Sequence, residues 1–384
     1  MSHRNTSSFP LPTLHMSSQI KKIRSLALLC AGLSVAPLFG NQYWDQYGAQ
    51  AVSIQQNNNG AVQTLKFVDY KDGMLIAQLD GGVGEISLPV NDYLVSTLRL
   101  NLGSLSRVPA MMEQQNYVGV LTLLRPTVYP LIKFHKVPDS FTQLHTPIQT
   151  LFEALLKSDN LEEAQFLLSK LDLPQAPNRY SQIAIGIMNA YLAKGNYSQA
   201  AQIAQNLPVS GQYASNIRPV IDAADALRGA GEYEAVIPLY QRIEGAVADN
   251  LKGNVRMWLA YSLVLADRVD EASPMIDAME QPDPKDRQFS LYQLLHGSRA
   301  HRQGDYNLAL DVLTRGFVKA QASYAWVPEM LYLIGDCYAR SAKETAARNV
   351  WTEIVTLYPN SPWAQRAQES LDQLPPVEPE TPSA

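Results

Sequence analysis

Between residues 104 and 374, apolar positions recur at helical spacing between short polar turns. In "AKGNYSQAAQ" (Ala193–Gln202) a glycine interrupts this pattern two residues before a tyrosine. Gly costs about 1 kcal/mol against Ala inside a helix. The position therefore predicts a helix end, where Gly takes left-handed backbone without steric cost. The stretch reads as helix, tight turn, helix, and it recurs. "GAGEYEAV" (Gly229–Val236) and "RQGDYNLA" (Arg302–Ala309) repeat the Gly, the Tyr two residues later and a small apolar residue five later. In "SDNLEEA" (Ser158–Ala164), "ADRVDEA" (Ala266–Ala272) and "SAKETAA" (Ser341–Ala347), Asp159, Asp267 and Ala342 take the Gly slot. The turn slots fall at 159, 195, 231, 267, 304 and 342, in steps of 36 to 38 residues. A fixed period of this size predicts a stacked array of helical hairpins.

Before the array the period changes. "AVQTLKFVDYKDGMLIAQLDGGVGEISLPV" (Ala61–Val90) alternates apolar and polar residues between the turn signals "KDG" (Lys71–Gly73) and "DGGVG" (Asp80–Gly84). "AVSIQ" (Ala51–Gln55) predicts a further strand, set off by "QNNNG" (Gln56–Gly60). The result is a three- or four-stranded antiparallel meander, marginal alone and in need of a packing partner. It reads as a cap on the first helices, or as a small recognition or dimerisation module. "DGGVG" lacks the following Lys-Ser/Thr and the helix of a phosphate-binding loop.

The repeat resembles the tetratricopeptide family in residue type and spacing. The family pattern has a small residue seven before the turn, an aromatic two after, Ala five after, a large residue nine after and often Pro seventeen after. Here Ala224, Ala260, Gly297 and Gly335 fill the first slot. Leu168, Tyr240, Ile276, Leu313 and Trp351 fill the slot at plus nine, and Pro284 and Pro359 the slot at plus seventeen. Phe152, Met188 and Val236 depart from the pattern, and the last copy lacks the turn Tyr. A longer-spaced unit, "EQQNYVGVLTLLRP" (Glu113–Pro126), precedes the others. The resemblance implies a mostly α fold: a right-handed α-solenoid with a small antiparallel β segment at its N-terminal end. "PEMLYLIGDCYAR" (Pro328–Arg340) and "WTEIVTLYPNSPWAQRAQESL" (Trp351–Leu371) are similar to repeats of periplasmic envelope proteins of the Tol–Pal coordinator and outer-membrane assembly lipoprotein type.

The ends add a compartment. "KKIR" (Lys21–Arg24) before "SLALLCAGLSVAPLFG" (Ser25–Gly40) predicts a secretory signal peptide with the mature chain starting near Asn41. The apolar run is short for a membrane span; an uncut anchor is the alternative. The expected layout is a signal region over 1–40, a β-rich segment over 41–103, the helical array over 104–374 and a Pro-rich tail over 375–384. Residues 1–40 carry Arg4, Lys21, Lys22 and Arg24 and no acid, so the formal net charge of −5 becomes −9 without them. That speaks against nucleic acid, which needs a basic footprint. Cys337 is then the one cysteine, expected as a buried thiol on a helix.

No catalytic motif stands out. His296 and His301 are five apart, on different faces of a helix. Glu162 and Glu163 in "LEEA" read as a solvated helix start. The chain calls for no cofactor and no metal. In such arrays a partner lies on the concave face lined by the first helix of each hairpin. Counting from the turns puts Gln182, Asn189, Arg218, Asp225, Arg228, Tyr261, His301, Tyr332 and Asp336 there. The slots for the lysines with which family members grip a C-terminal carboxylate hold Ile185 and Ile221. The expectation is a non-catalytic periplasmic scaffold with a protein or peptide partner, no nucleic acid and no small-molecule substrate. Its rivals are a cell-wall or glycan enzyme with a carboxylate in its groove, and a membrane-anchored assembly factor.

Overall fold

A computed structural model describes residues 42–48, 50, 52–58, 61–79, 84–91, 98–100, 105–137 and 144–375. The signal region, the "DGGVG" loop up to Val83 and the tail beyond Pro375 lie outside the described residues.

Five strands form one antiparallel sheet: β1 (Val52–Asn58), β2 (Ala61–Lys71), β3 (Met74–Leu79), β4 (Glu85–Pro89) and β5 (Leu98–Leu100). Their order is β4-β3-β2-β1-β5. The sheet is therefore larger than the expected meander. After β4 the chain returns to the far edge, where Ile54 pairs with Leu100. A three-residue strand is too short to show alternation in sequence. The β2–β3 hairpin turns on Asp72 and Gly73, both at positive φ (52° and 76°), as a two-residue hairpin requires. Leu65, Phe67, Leu75 and Ala77 are buried on one face and join the core of the first helices. Phe67 meets Phe134 at 5.6 Å between ring centroids. The packing partner that a small sheet needs is thus the start of the helical array.

The array opens with α1 (Val108–Glu113) and α2 (Tyr117–Val128). Helical hairpins follow: α3 (His145–Lys157) with α4 (Leu161–Leu168), α5 (Arg179–Ala193) with α6 (Tyr197–Asn206), and α7 (Ile217–Ala230) with α8 (Tyr233–Ala246). Then come α9 (Asp249–Leu265) with α10 (Val269–Asp277), α11 (Arg287–Arg302) with α12 (Tyr306–Lys319), and α13 (Val327–Arg340) with α14 (Glu344–Leu357). A single helix, α15 (Pro362–Gln373), covers the last hairpin with Trp363, Ala364 and Ala367. The fold is a helical-repeat solenoid with a small sheet at its N-terminal end.

Every turn slot takes left-handed backbone: Asp159 (φ 62°), Gly195 (72°), Gly231 (86°), Asp267 (61°), Gly304 (82°) and Ala342 (57°). Gln115, between α1 and α2, does the same at 57°. At each, the next amide reaches back five residues, as Asn196 to the Tyr191 carbonyl and Lys343 to the Tyr338 carbonyl, both at 2.9 Å. This bond closes a left-handed helix end. The two aspartates are held from the following hairpin, Asp159 by Lys194 and Asp267 by Arg302 at 2.9 Å. A turn carboxylate thereby ties successive repeats together.

The small residue seven before the turn meets the large one nine after it. A Cβ added to Gly297 would stand 2.5 Å from Leu313 Cγ, and one added to Gly335 2.4 Å from Trp351 Nε1. The residues five after the slot, Ala164, Ala200, Val236, Ala272, Ala309 and Ala347, are fully buried where paired helices cross. Pro284, in the slot at plus seventeen, lies well beyond its helix: α10 stops at Asp277, after Pro274 within it. Glu163 is not solvated either. It is buried, takes two bonds from the Arg125 guanidinium (2.9 and 2.7 Å) and accepts from the Tyr129 hydroxyl. A buried carboxylate needs such partners; here they join α2 to α4. Among the described residues no helix is long and apolar enough to cross a membrane.

Candidate functional site

The array curls far enough for its later repeats to touch its middle. Glu329, in the first turn of α13, accepts a hydrogen bond from the Tyr261 hydroxyl of α9, 68 residues away. A Cβ on Gly231, at the α7–α8 turn, would come within 3.0 Å of the Arg366 guanidinium of α15. Glu329 is fully enclosed, and the charges of Arg228 and Arg366 act on it. Burial pushes its pKa up to about 7 against the pull of those two guanidiniums. Burial also works against the Arg228 charge, but Tyr240, Glu329 and Asp225 outweigh it and keep that group protonated. This contact fills the centre of the concave face and leaves Tyr261, expected there as an exposed groove residue, with no accessible surface. Its ring packs against Trp258 at 5.7 Å and Tyr233 at 6.3 Å. Tyr261 is a residue of the interior and cannot be touched by a partner in this state.

Beside the filled centre a cleft of about 400 Å³ remains open, lined by Asp225, Arg228, Asn254, Trp258, Arg287, Gln288, Leu291, Ala325 and Trp326. Its floor is two indoles with centroids 6.0 Å apart, Trp258 from α9 and Trp326 just before α13. The Trp326 ring is fixed by its N–H, which donates to Ser290 Oγ at 3.1 Å. A guanidinium lies against each indole: Arg228 3.6 Å from the centroid of Trp258, and Arg287 5.0 Å from those of both Trp326 and Tyr324. Arg228 also donates to the Tyr240 hydroxyl at 3.2 Å and to Asp225 at 3.4 Å. The Arg287 guanidinium has no hydrogen-bond or ion-pair partner among the described residues. Asn254 and Gln288 place exposed amides at the rim. Such a cleft has rigid aromatic walls and fixed donors, the make-up of an interaction anchor.

Of the residues expected on the concave face, the cleft gathers Asp225 and Arg228. Gln182 and Asn189 are exposed on α5, and Arg218 pairs with Asp222 at 2.8 Å, all outside it. His301, Asp336 and Tyr332 belong to the seam of α11, α13 and α15. His301 Nε2 lies 2.6 Å from Asp336, and the Tyr332 ring packs 5.2 Å from Trp363. The cleft residues outside that expectation are Asn254, Trp258, Arg287, Gln288, Leu291, Ala325 and Trp326. The signal visible in sequence is an Arg or Trp at the start of two successive first helices, Arg287 opening α11 and Trp326 just before α13; Trp258, midway along α9, carries no such mark. Cys337 is buried, and burial pushes its thiol up to about 12. His296 stacks on Tyr292 at 4.1 Å, and burial, followed by the charge of Arg299, lowers its pKa to about 4. Among the described residues no three His, Cys, Asp or Glu side chains are grouped to hold a metal ion.

Residues 329–361 match the family model for the tetratricopeptide repeat. They cover most of α13, the Ala342 turn, α14 and the turn before α15. No curated protein matches the chain. Among solved structures, the crystal structure of BtubC (BKLC) from P. vanneervenii is similar over 71% of this chain and 96% of that one, with 13% identity and a TM-score of 0.25.

Proposed function

We propose that this chain is an exported, non-catalytic scaffold that binds a protein partner in the periplasm or cell envelope. The observation that carries the reading is the cleft of Arg228, Trp258, Arg287 and Trp326, opened along the first-helix face of successive repeats. Tetratricopeptide repeats generally bind protein partners, and a rigid curved stack displays large area for that purpose. The periplasmic part rests on the basic and apolar run Lys21–Gly40, which precedes the described residues. The enzyme reading needs a carboxyl open to substrate. Glu329, the carboxyl held at about 7, is sealed behind Tyr261, and Asp225, the carboxylate that does line the cleft, is engaged by Arg228 and by the Tyr240 hydroxyl.

The test is capture of partners from envelope extract by the immobilised chain and by an Asn254→Trp variant. Asn254 is exposed at the cleft rim, so the larger ring blocks the opening at a stability cost of about 0.5 kcal/mol or less. The partner bound by the wild type should be lost from the folded variant. Equal capture by both would move the interaction site elsewhere. Fractionation should find the mature chain, beginning near Asn41, in the periplasm; full-length chain in the cytosol would refute export.

A further inference from the structure

We propose that the cleft recognises its partner through an acidic peptide segment, with the Arg287 guanidinium as the carboxylate anchor. This rests on the cleft being the interaction site. Arg287 stands against Trp326 and Tyr324, both 5.0 Å from its guanidinium carbon. Ring contact of this kind holds the plane of the group and leaves its edge N–H donors free, the geometry that pairs bidentately with a carboxylate. No carboxylate among the described residues takes that place. Asp225, the carboxylate of the cleft, is already engaged by Arg228 and by the Tyr240 hydroxyl, at 3.4 and 3.1 Å. The lining therefore carries two guanidiniums against one carboxylate, a local positive charge in a chain whose overall charge is negative.

The remaining lining decides between a peptide and a small anion. Asn254 and Gln288 present amides that both donate and accept, which suits a peptide backbone. Leu291 and Ala325 add apolar surface beside them. An inorganic anion would use the guanidiniums and leave the acceptors and the apolar wall idle. The occupant that uses the whole lining is a peptide with a glutamate or aspartate seated on Arg287.

The experiment is a fluorescence-anisotropy titration of the full chain with a labelled alternating alanine–glutamate peptide. The same peptide with glutamine for glutamate is run in parallel. The glutamate peptide should bind, weaken as salt is raised, and exceed the glutamine peptide by about tenfold or more, equivalent to about 1.4 kcal/mol. Arg287→Gln should lose the same factor. Arg315→Gln should bind as the wild type does, because Arg315 lies on α12 outside the cleft and pairs with Asp311 at 2.8 Å. No binding, equal binding of both peptides, or undiminished binding by the Arg287→Gln variant overturns the inference. If Asn254→Trp still abolishes partner capture in that case, the acidic-partner inference falls alone. If that substitution is also without effect, the interaction-site reading falls with it.

Discussion

Replacing Glu329 by Gln should change how the stability of this protein depends on pH. The carboxyl titrates near 7 in the folded chain because it is enclosed between α9, α13 and α15, against an ordinary value of 4.5. An acid whose pKa is raised on folding holds its proton more tightly folded than unfolded. Below about 4.5 both states are protonated and stability does not respond to this group. Between about 4.5 and 7 the unfolded chain releases its proton first, so stability falls as pH rises. Above about 7 both states are ionised and the loss is complete, at about 3 kcal/mol from 1.36 kcal/mol per pKa unit. The amide of Gln stays neutral throughout and still offers an oxygen to the Tyr261 hydroxyl. Urea unfolding followed by tryptophan fluorescence reads the right region, since Trp258 lies 5.7 Å from Tyr261 and 6.0 Å from Trp326. Wild type and Glu329→Gln should differ least near pH 5, with the variant gaining about 3 kcal/mol relative to wild type by pH 8.5. Parallel stability curves across that range would show that Glu329 ionises freely and that the array does not close on itself as described.

Three further outcomes concern the repeat register. Ala309→Leu should overpack the crossing of α11 and α12 and cost about 1–3 kcal/mol, while Ser198→Leu, at an exposed site on α6, should cost little; equal melting temperatures would refute the register. Gly335→Ala should destabilise by about 1–3 kcal/mol, because its Cβ would stand 2.4 Å from the buried Trp351 ring, whereas Gly245→Ala, with nothing within 4 Å, should be neutral or stabilising in thermal unfolding. Gly304→Ala should lose about 1 kcal/mol at its left-handed turn and Ala342→Gly should gain a fraction of that, read as opposite shifts in unfolding midpoint.

The repeats were legible because one physical requirement recurs. A left-handed residue must end each first helix, and Gly195, Gly231 and Gly304 announce it. Asp159, Asp267 and Ala342 are weaker announcements that the period makes readable. The small-to-large contact of Gly335 with Trp351 follows from the same count. The cleft was only partly legible, through Asp225 and Arg228. What hid the rest is the curl. The contacts of Tyr261 with Glu329 and of Gly231 with Arg366 depend on rotations accumulated over several repeats. No local pattern records that sum, so a residue such as Tyr261 reads as groove by counting and is interior in space. β5 was hidden for a related reason: its pairing with β1 is a long-range choice made by three residues.

The central claim is that a partner docks in the open cleft between α7 and α13 and not along the earlier repeats. A photo-crosslinking residue placed at Gln288, on the cleft rim, and in a second variant at Gln182, exposed on α5, tests it directly in envelope extract. The account predicts a discrete protein adduct from position 288, lost when Asn254→Trp is added, and none from position 182. An adduct from position 182 with none from 288 would contradict it.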